Sequence, residues 1–176
     1  EGLTISKIRE LAAENVISPT DFNAALEASR LHPALKEKPS DVSLEGYLFP
    51  DTYHLDSQDT ARGLVTSMLD NFQAKVGQKY AQAFASRGLS LHQGLTLASI
   101  VEREVPDRES RRKVAQVFYK RLSIQKTLES DITVEYAAEV LGTEFNLALE
   151  SPYNTYRNRG LPPGPVCNPG LDALEA

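Results

Sequence analysis

A chain of 176 residues, 41% of them hydrophobic, can bury the core of one good-sized domain. Nineteen Lys and Arg against 24 Asp and Glu leave a net charge of -5, which gives no electrostatic reason to expect nucleic acid or an anionic membrane surface as a partner. The single cysteine, Cys167, excludes an internal disulfide and any multi-thiolate site, and His32, His54 and His92 lie far apart without ligand-type spacing, so no metal or cofactor is expected.

TISKIRELAAEN, from Thr4, spaces Ile5, Ile8, Leu11 and Ala12 as an amphipathic helix. In SPTDFNAALEAS, Ser18 reads as the N-cap, Pro19 as the first helical residue, and Asp21 falls three residues after the cap. HPALKEKPSD, residues 32–41, breaks the pattern with two prolines and reads as a linker. SLEGYLFPDTYHL then changes character: Tyr47, Leu48, Phe49 and Tyr53 are strand formers, and Gly46 and Pro50 punctuate them, so a strand or hairpin is expected, leading to a turn at Pro50 and Asp51.

Residues 60–86 read as helix with a break at Gly77, Leu64, Met68, Leu69 and Phe72 forming one stripe. Ser90 and Gln93 form a capping box for the next helix, which should end near Val105 because Pro106 disfavours helical backbone before it. DRESRRKVAQVFYKRLSIQ turns Val114, Val117, Phe118 and Leu122 to a core, with Arg111, Arg112, Lys113, Lys120 and Arg121 mostly on a solvated basic face. DITVEYAAEVLG is a short helix capped by Asp131 and stopped at Gly142, and the proline- and glycine-rich SPYNTYRNRGLPPGPVCNPG spends two tyrosines and Leu161 in a way that suits an ordered loop. No run of roughly 18 apolar residues appears. The chain begins at Glu1 rather than Met and stops in GLDALEA, the start of a helix, so it reads as a piece of a longer protein.

The helix over 91–105 carries two acids among apolar residues. At 100° per residue from Leu95, Glu102 falls at about 340°, between Leu95 and Ala98, and Glu104 at about 180°, between Ile100 and Leu97. The wheel does not separate them. A carboxyl partly withdrawn from water has its charged form disfavoured, which suits a proton donor, so either is a candidate general acid; pairing with Arg103 or Arg108 is the structural alternative.

Five motifs in order, EGYLFPDTY (45–53), LASIVEREV (97–105), VAQVFYKRL (114–122), LESDITVEY (128–136) and SPYNTYRNRGLPPGPVCNPG (151–170), resemble the MltG-type, or YceG-like, endolytic murein transglycosylases. The resemblance implies Glu102 as the catalytic acid. It implies cleavage of the MurNAc-β-1,4-GlcNAc bond within peptidoglycan strands, leaving 1,6-anhydro ends. Glu45, Tyr47, Tyr53, Asp131, Tyr153, Asn154 and Tyr156 become the candidate substrate-binding residues, and Glu104 is expected in an ion pair. One departure is Ile132, where the family often has proline.

The expected fold is α+β: a predominantly helical catalytic domain over 44–176 with a short strand or hairpin, extending in the family beyond this chain's end. Residues 1–43 form a helical segment and linker resembling the end of a LysM-like subdomain. The resemblance further implies a single-pass anchor in the inner membrane upstream, a catalytic domain outside the cytoplasm, and peptidoglycan synthases as partners. Two other activities fit the same residues: a hydrolytic muramidase using Glu45 or Asp131 as second carboxylate, and a glycan-binding scaffold that cuts nothing.

Overall fold

Hydroxyl and acidic caps set most helix starts in the computed structural model, which describes residues 1–56 and 58–176. Thr4, Ser18, Thr60, Ser90 and Asp107 each accept a hydrogen bond from the backbone N–H three residues on, a contact worth about 1 kcal/mol. The helices that follow are α1 (Ile5–Ala13), α2 (Pro19–Ala28), α3 (Ala61–Lys75), α4 (Gly77–Ala85), α5 (Leu91–Glu104), α6 (Arg108–Ser123), α7 (Asp131–Leu141) and the single turn α8 (Leu171–Leu174). About half of the described residues are helical. Gln93 completes the reciprocal capping box with Ser90, and Val105 adopts extended backbone before Pro106, so α5 ends at Glu104. The cap of α7 is Ser130, with Asp131 as the first helical residue, one position earlier than the sequence suggests.

α5 is the axis of the molecule. From Gly94 to Glu102 it is buried all round, as expected of a helix apolar on most sides. Leu91, Leu95 and Ala98 join a core built with Ile8, Phe22, Leu48, Val65, Leu69 and Phe72, while Leu97, Ile100 and Val101 join a second one with Ala115, Phe118, Leu128 and Val166. The helix packs on α4, α6, α7 and α8. Gly94 permits the close approach of α4: a Cβ there would lie 2.2 Å from the ring of Phe84. The first two helices are not a detached piece, since Ile8, Ala12, Phe22 and Ala25 share the first core with α3.

The strand or hairpin expected at 45–53 does not form, and the described residues contain isolated bridges, Leu3 with Asn168 and Thr127 with Arg159, in place of a ladder. The strand-forming side chains are there to fill a core: Tyr47, Leu48 and Phe49 are all buried. Their backbone finds partners elsewhere. Leu48 N–H donates to Asn168 Oδ1 at 2.9 Å and Phe49 N–H to Met68 C=O at 3.3 Å. Gly46 has φ +87°, and a Cβ on it would lie 2.5 Å from Pro165, so both the bend and the packing of this segment require glycine.

Candidate active site

Glu102 lies in the last turn of α5 with its side chain 5% exposed. One oxygen takes a 2.6 Å hydrogen bond from Arg111 of α6, itself buried, and the other accepts the Gly170 N–H at 3.0 Å. Arg111 also donates from Nε to the Val105 carbonyl at 3.1 Å, tying its guanidinium to the corner where Pro106 turns the chain from α5 into α6. Gly2 covers the stem of the acid: a Cβ at Gly2 would be 3.6 Å from Glu102 Cγ. Glu104, the other acid of the pair, is only half-buried and accepts a 2.5 Å hydrogen bond from the Ser130 hydroxyl; the ion pair expected of it belongs instead to Arg103, which reaches Glu135.

A strap over Val166–Gly170 crosses this end of α5. Val166 N–H donates to Ser99 Oγ at 2.9 Å, and Cys167 Sγ lies 3.3 Å from Ser99 C=O. Asn168 pairs with Leu3 in both directions of the bridge, through Gly2 N–H to Asn168 C=O and Asn168 N–H to Leu3 C=O, each 2.9 Å. Leu3 and Asn168 also line a cleft of about 510 Å³ between α1, α3 and the 50–55 loop, with Ile8, Leu11, Tyr53 and Met68 among its walls.

Glu45 sits under the same strap. Its carboxyl accepts the Ile5 N–H, the first N–H of α1, at 3.0 and 3.1 Å, the Asn168 Nδ2 at 2.9 Å and the Tyr136 hydroxyl at 3.5 Å. Among the described residues no cation pairs with it. Burial raises its pKa to about 7, against the lowering effect of the Ile5, Tyr136 and Asn168 donors, and the nearby Glu139 adds to the rise. The environment that the sequence suggests for Glu102, a carboxyl withdrawn from water and inclined to keep its proton, is realised at Glu45.

The remaining sequence-derived candidates are distributed unevenly. Tyr47 is buried, its hydroxyl bonded to His92 Nδ1 at 2.9 Å; His92 Nε2 lies 2.8 Å from the Pro163 carbonyl, which can only accept, so Nε2 carries the proton and Nδ1 accepts from Tyr47. Asn154 is buried and braces its own loop, donating to the carbonyls of Leu147 and Leu149. Tyr153 packs on Tyr136 with ring centroids 4.9 Å apart. Tyr156 and Asp131 meet in a 2.6 Å hydrogen bond at the surface, and that acceptor pushes the Tyr156 phenol up to about 12. Tyr53 lines the cleft and is held by Phe49 C=O and Asn71.

Around the candidate site, Arg111, expected on the solvated basic face, is buried, and Asn168 and Gly170 are residues that sequence reasoning does not single out. A signal for Arg111 was available: with Ala115 and Phe118 it forms the buried face of α6, so it is a cation on an apolar stripe. Asn168 and Gly170 carry no local signal, since their partners lie 120 and 68 residues away.

Known proteins can now be set beside this arrangement. The chain is 39% identical over 150 residues to a protein of Streptococcus pneumoniae serotype 2 named endolytic murein transglycosylase, a match covering 81% of this chain and 27% of that protein. It is 40% identical over 139 residues to a protein of the same name from Bacillus subtilis, covering 76% of this chain and 38% of the relative. It thus spans between about a quarter and two fifths of the length of the curated relatives it matches. The crystal structure of a yceG-like protein from Listeria monocytogenes superimposes with a TM-score of 0.84 at 31% identity, over 99% of this chain and 63% of that one. The family model described as YceG-like matches residues 1–176, and the chain belongs to the YceG-like family.

Proposed function

We propose that this chain carries the catalytic centre of an endolytic peptidoglycan lytic transglycosylase, with Glu102 as its acid. The observation that carries the reading is one buried carboxylate at the end of the apolar helix α5, in a chain that resembles proteins named endolytic murein transglycosylase over most of its length. Ordinary glycosidases use two carboxylates, but a transglycosylase can work with one because the substrate supplies the nucleophile. Glu102, freed from Arg111 as the glycan displaces Gly2 and protonated from solvent, donates that proton to the glycosidic oxygen as its bond to C1 breaks. The carboxylate then takes the proton of the muramoyl C6 hydroxyl as that oxygen closes on C1. The closure is intramolecular, which favours it over attack by water in a covered site. The cleft beside Leu3 and Asn168 accommodates part of the strand, with Tyr53 as one wall.

The same reading places the whole protein at the inner membrane on a single-pass anchor, its catalytic part outside the cytoplasm and working beside peptidoglycan synthases. Residues 1–43 are the end of a LysM-like subdomain, a reading supported by the order of a bridged Leu3 followed by the two helices α1 and α2.

The test is digestion of purified glycan strands by the full-length protein, with products weighed. Anhydro ends, lighter than reducing ends by one water, are expected from the wild type, and Glu102→Gln should abolish them while leaving the protein folded. Reducing ends alone would assign hydrolysis instead, and unchanged cleavage by the variant would remove Glu102 from the chemistry.

A further inference from the structure

We propose that Glu45 is a positioning residue for Glu102, acting through the Asn168–Gly170 strap without touching the substrate. The inference rests on Glu102 being the acid. The path is short and made of hydrogen bonds. Glu45 Oε1 holds Asn168 Nδ2 at 2.9 Å, and the same amide donates to Leu3 C=O at 3.0 Å and accepts Leu48 N–H at 2.9 Å, so all of its heavy-atom positions are fixed. Two residues on, across Pro169 with its restricted backbone, the Gly170 N–H meets Glu102 Oε2 at 3.0 Å. Glu45 also holds the first N–H of α1, so it fixes both sides of the Leu3–Asn168 bridge.

Burial makes direct sugar contact the weaker reading of Glu45, which is 4% exposed with protein donors on both oxygens. The groups facing it come from every neighbouring element: Ile5 N–H from α1, Tyr136 and Glu139 from α7, Tyr153 from the long loop, and Asn168 and Cys167 from the strap. When Glu45 is ionised it is an acceptor for three donors at once. When it is protonated one of those contacts must reverse, and of the three donors only the Tyr136 hydroxyl can turn to accept. Asn168 Nδ2 then donates to a neutral carboxyl instead of an anion, a weaker hydrogen bond, so the grip on Asn168 loosens as Glu45 takes up its proton and the placement of Glu102 changes with it.

The experiment is the pH dependence of kcat and KM for glycan-strand cleavage by full-length wild type, Glu45→Gln, Tyr136→Phe and Glu102→Gln, with thermal melting of each. The wild type should show an inflection in kcat near pH 7. Glu45→Gln should lower kcat about tenfold, leave KM within about twofold and lose that inflection. Tyr136→Phe removes one donor that stabilises the carboxylate, so its inflection should move to higher pH; this variant keeps the ring on Tyr153 and decides the matter if Glu45→Gln does not fold. A raised KM with kcat held would make Glu45 a substrate contact. A lower melting temperature with unchanged kcat and profile would make it merely structural, and an unmoved inflection in Tyr136→Phe would also overturn the proposal. Cleavage by Glu102→Gln at the wild-type rate would instead overturn the reading of Glu102, independently of how the Glu45 variant behaves.

Discussion

The corner where α5 meets α6 and the junction where α1 meets α7 each bury a glutamate, Glu102 at 8% and Glu45 at 4% exposure, but they treat the charge differently. Glu102 has a buried guanidinium at 2.6 Å and one backbone N–H. Glu45 has two neutral amide donors, a distant phenol and another carboxylate nearby, and is pushed up to about 7. Two similarly buried carboxylates thus differ in how their charge is compensated, one by a buried cation and the other by neutral donors. The difference also divides the labour proposed for the site, with one carboxylate at the chemistry and the other holding the strap that crosses it.

The largest expected effect comes from taking away the cation that distinguishes the first region. Arg111→Met leaves Glu102 buried and unpaired, and breaking a buried pair from one side costs about 3 to 5 kcal/mol. Urea denaturation of this chain checks it. The double variant Arg111→Met with Glu102→Leu should recover much of the loss, because the orphaned charge is gone. If the double variant is no more stable than Arg111→Met alone, Glu102 gains its stability from something other than that pair.

The second region predicts a dependence on pH. A free glutamate titrates at 4.5 and Glu45 in the fold at about 7, so the folded protein holds an extra proton between these values. Its contribution to stability is therefore fully present below about pH 4.5 and is lost as pH rises through 7, by about 3 kcal/mol. Glu45→Gln should flatten that part of the curve: wild-type minus variant unfolding free energy, followed from pH 4.5 to 8, should fall as pH rises. A difference that stays level would mean that the junction admits enough water or counter-charge to leave Glu45 ordinary.

These two regions also mark what the sequence could and could not convey. Helix starts at Thr4, Ser18, Thr60 and Ser90 are legible because a cap and the N–H it satisfies lie three residues apart. The break at Gly77 and the end of α5 before Pro106 are local in the same way. The strand expected at 45–53 fails because its residue types report a pleated surface when they are in fact filling a core, with backbone partners on Met68 and Asn168. Periodicity could not separate Glu102 from Glu104, since α5 is apolar on most sides; in space they differ in partner, Glu102 meeting an arginine that arrives after a turn and Glu104 the Ser130 hydroxyl. Glu45 was visible as an acid beside a glycine, but its lack of a cation depends on segments 40, 91 and 123 residues distant.

A third carboxylate extends the comparison to the case where water remains available. Glu104 is half-buried, more exposed than Glu102 or Glu45, and its partner is the neutral Ser130 hydroxyl at 2.5 Å. Ser130→Ala removes that donor and leaves Glu104 free to turn to solvent, while the Ser130 N–H keeps its bond to Thr155 Oγ1. The loss should be about 1 kcal/mol, the net worth of one hydrogen bond, and well below that of Arg111→Met. Measured by the same urea titration, a loss as large as that of the arginine variant would mean that Glu104 is as closed to water as Glu102, and the distinction drawn between the two acids on α5 would then have to come from the arginine alone.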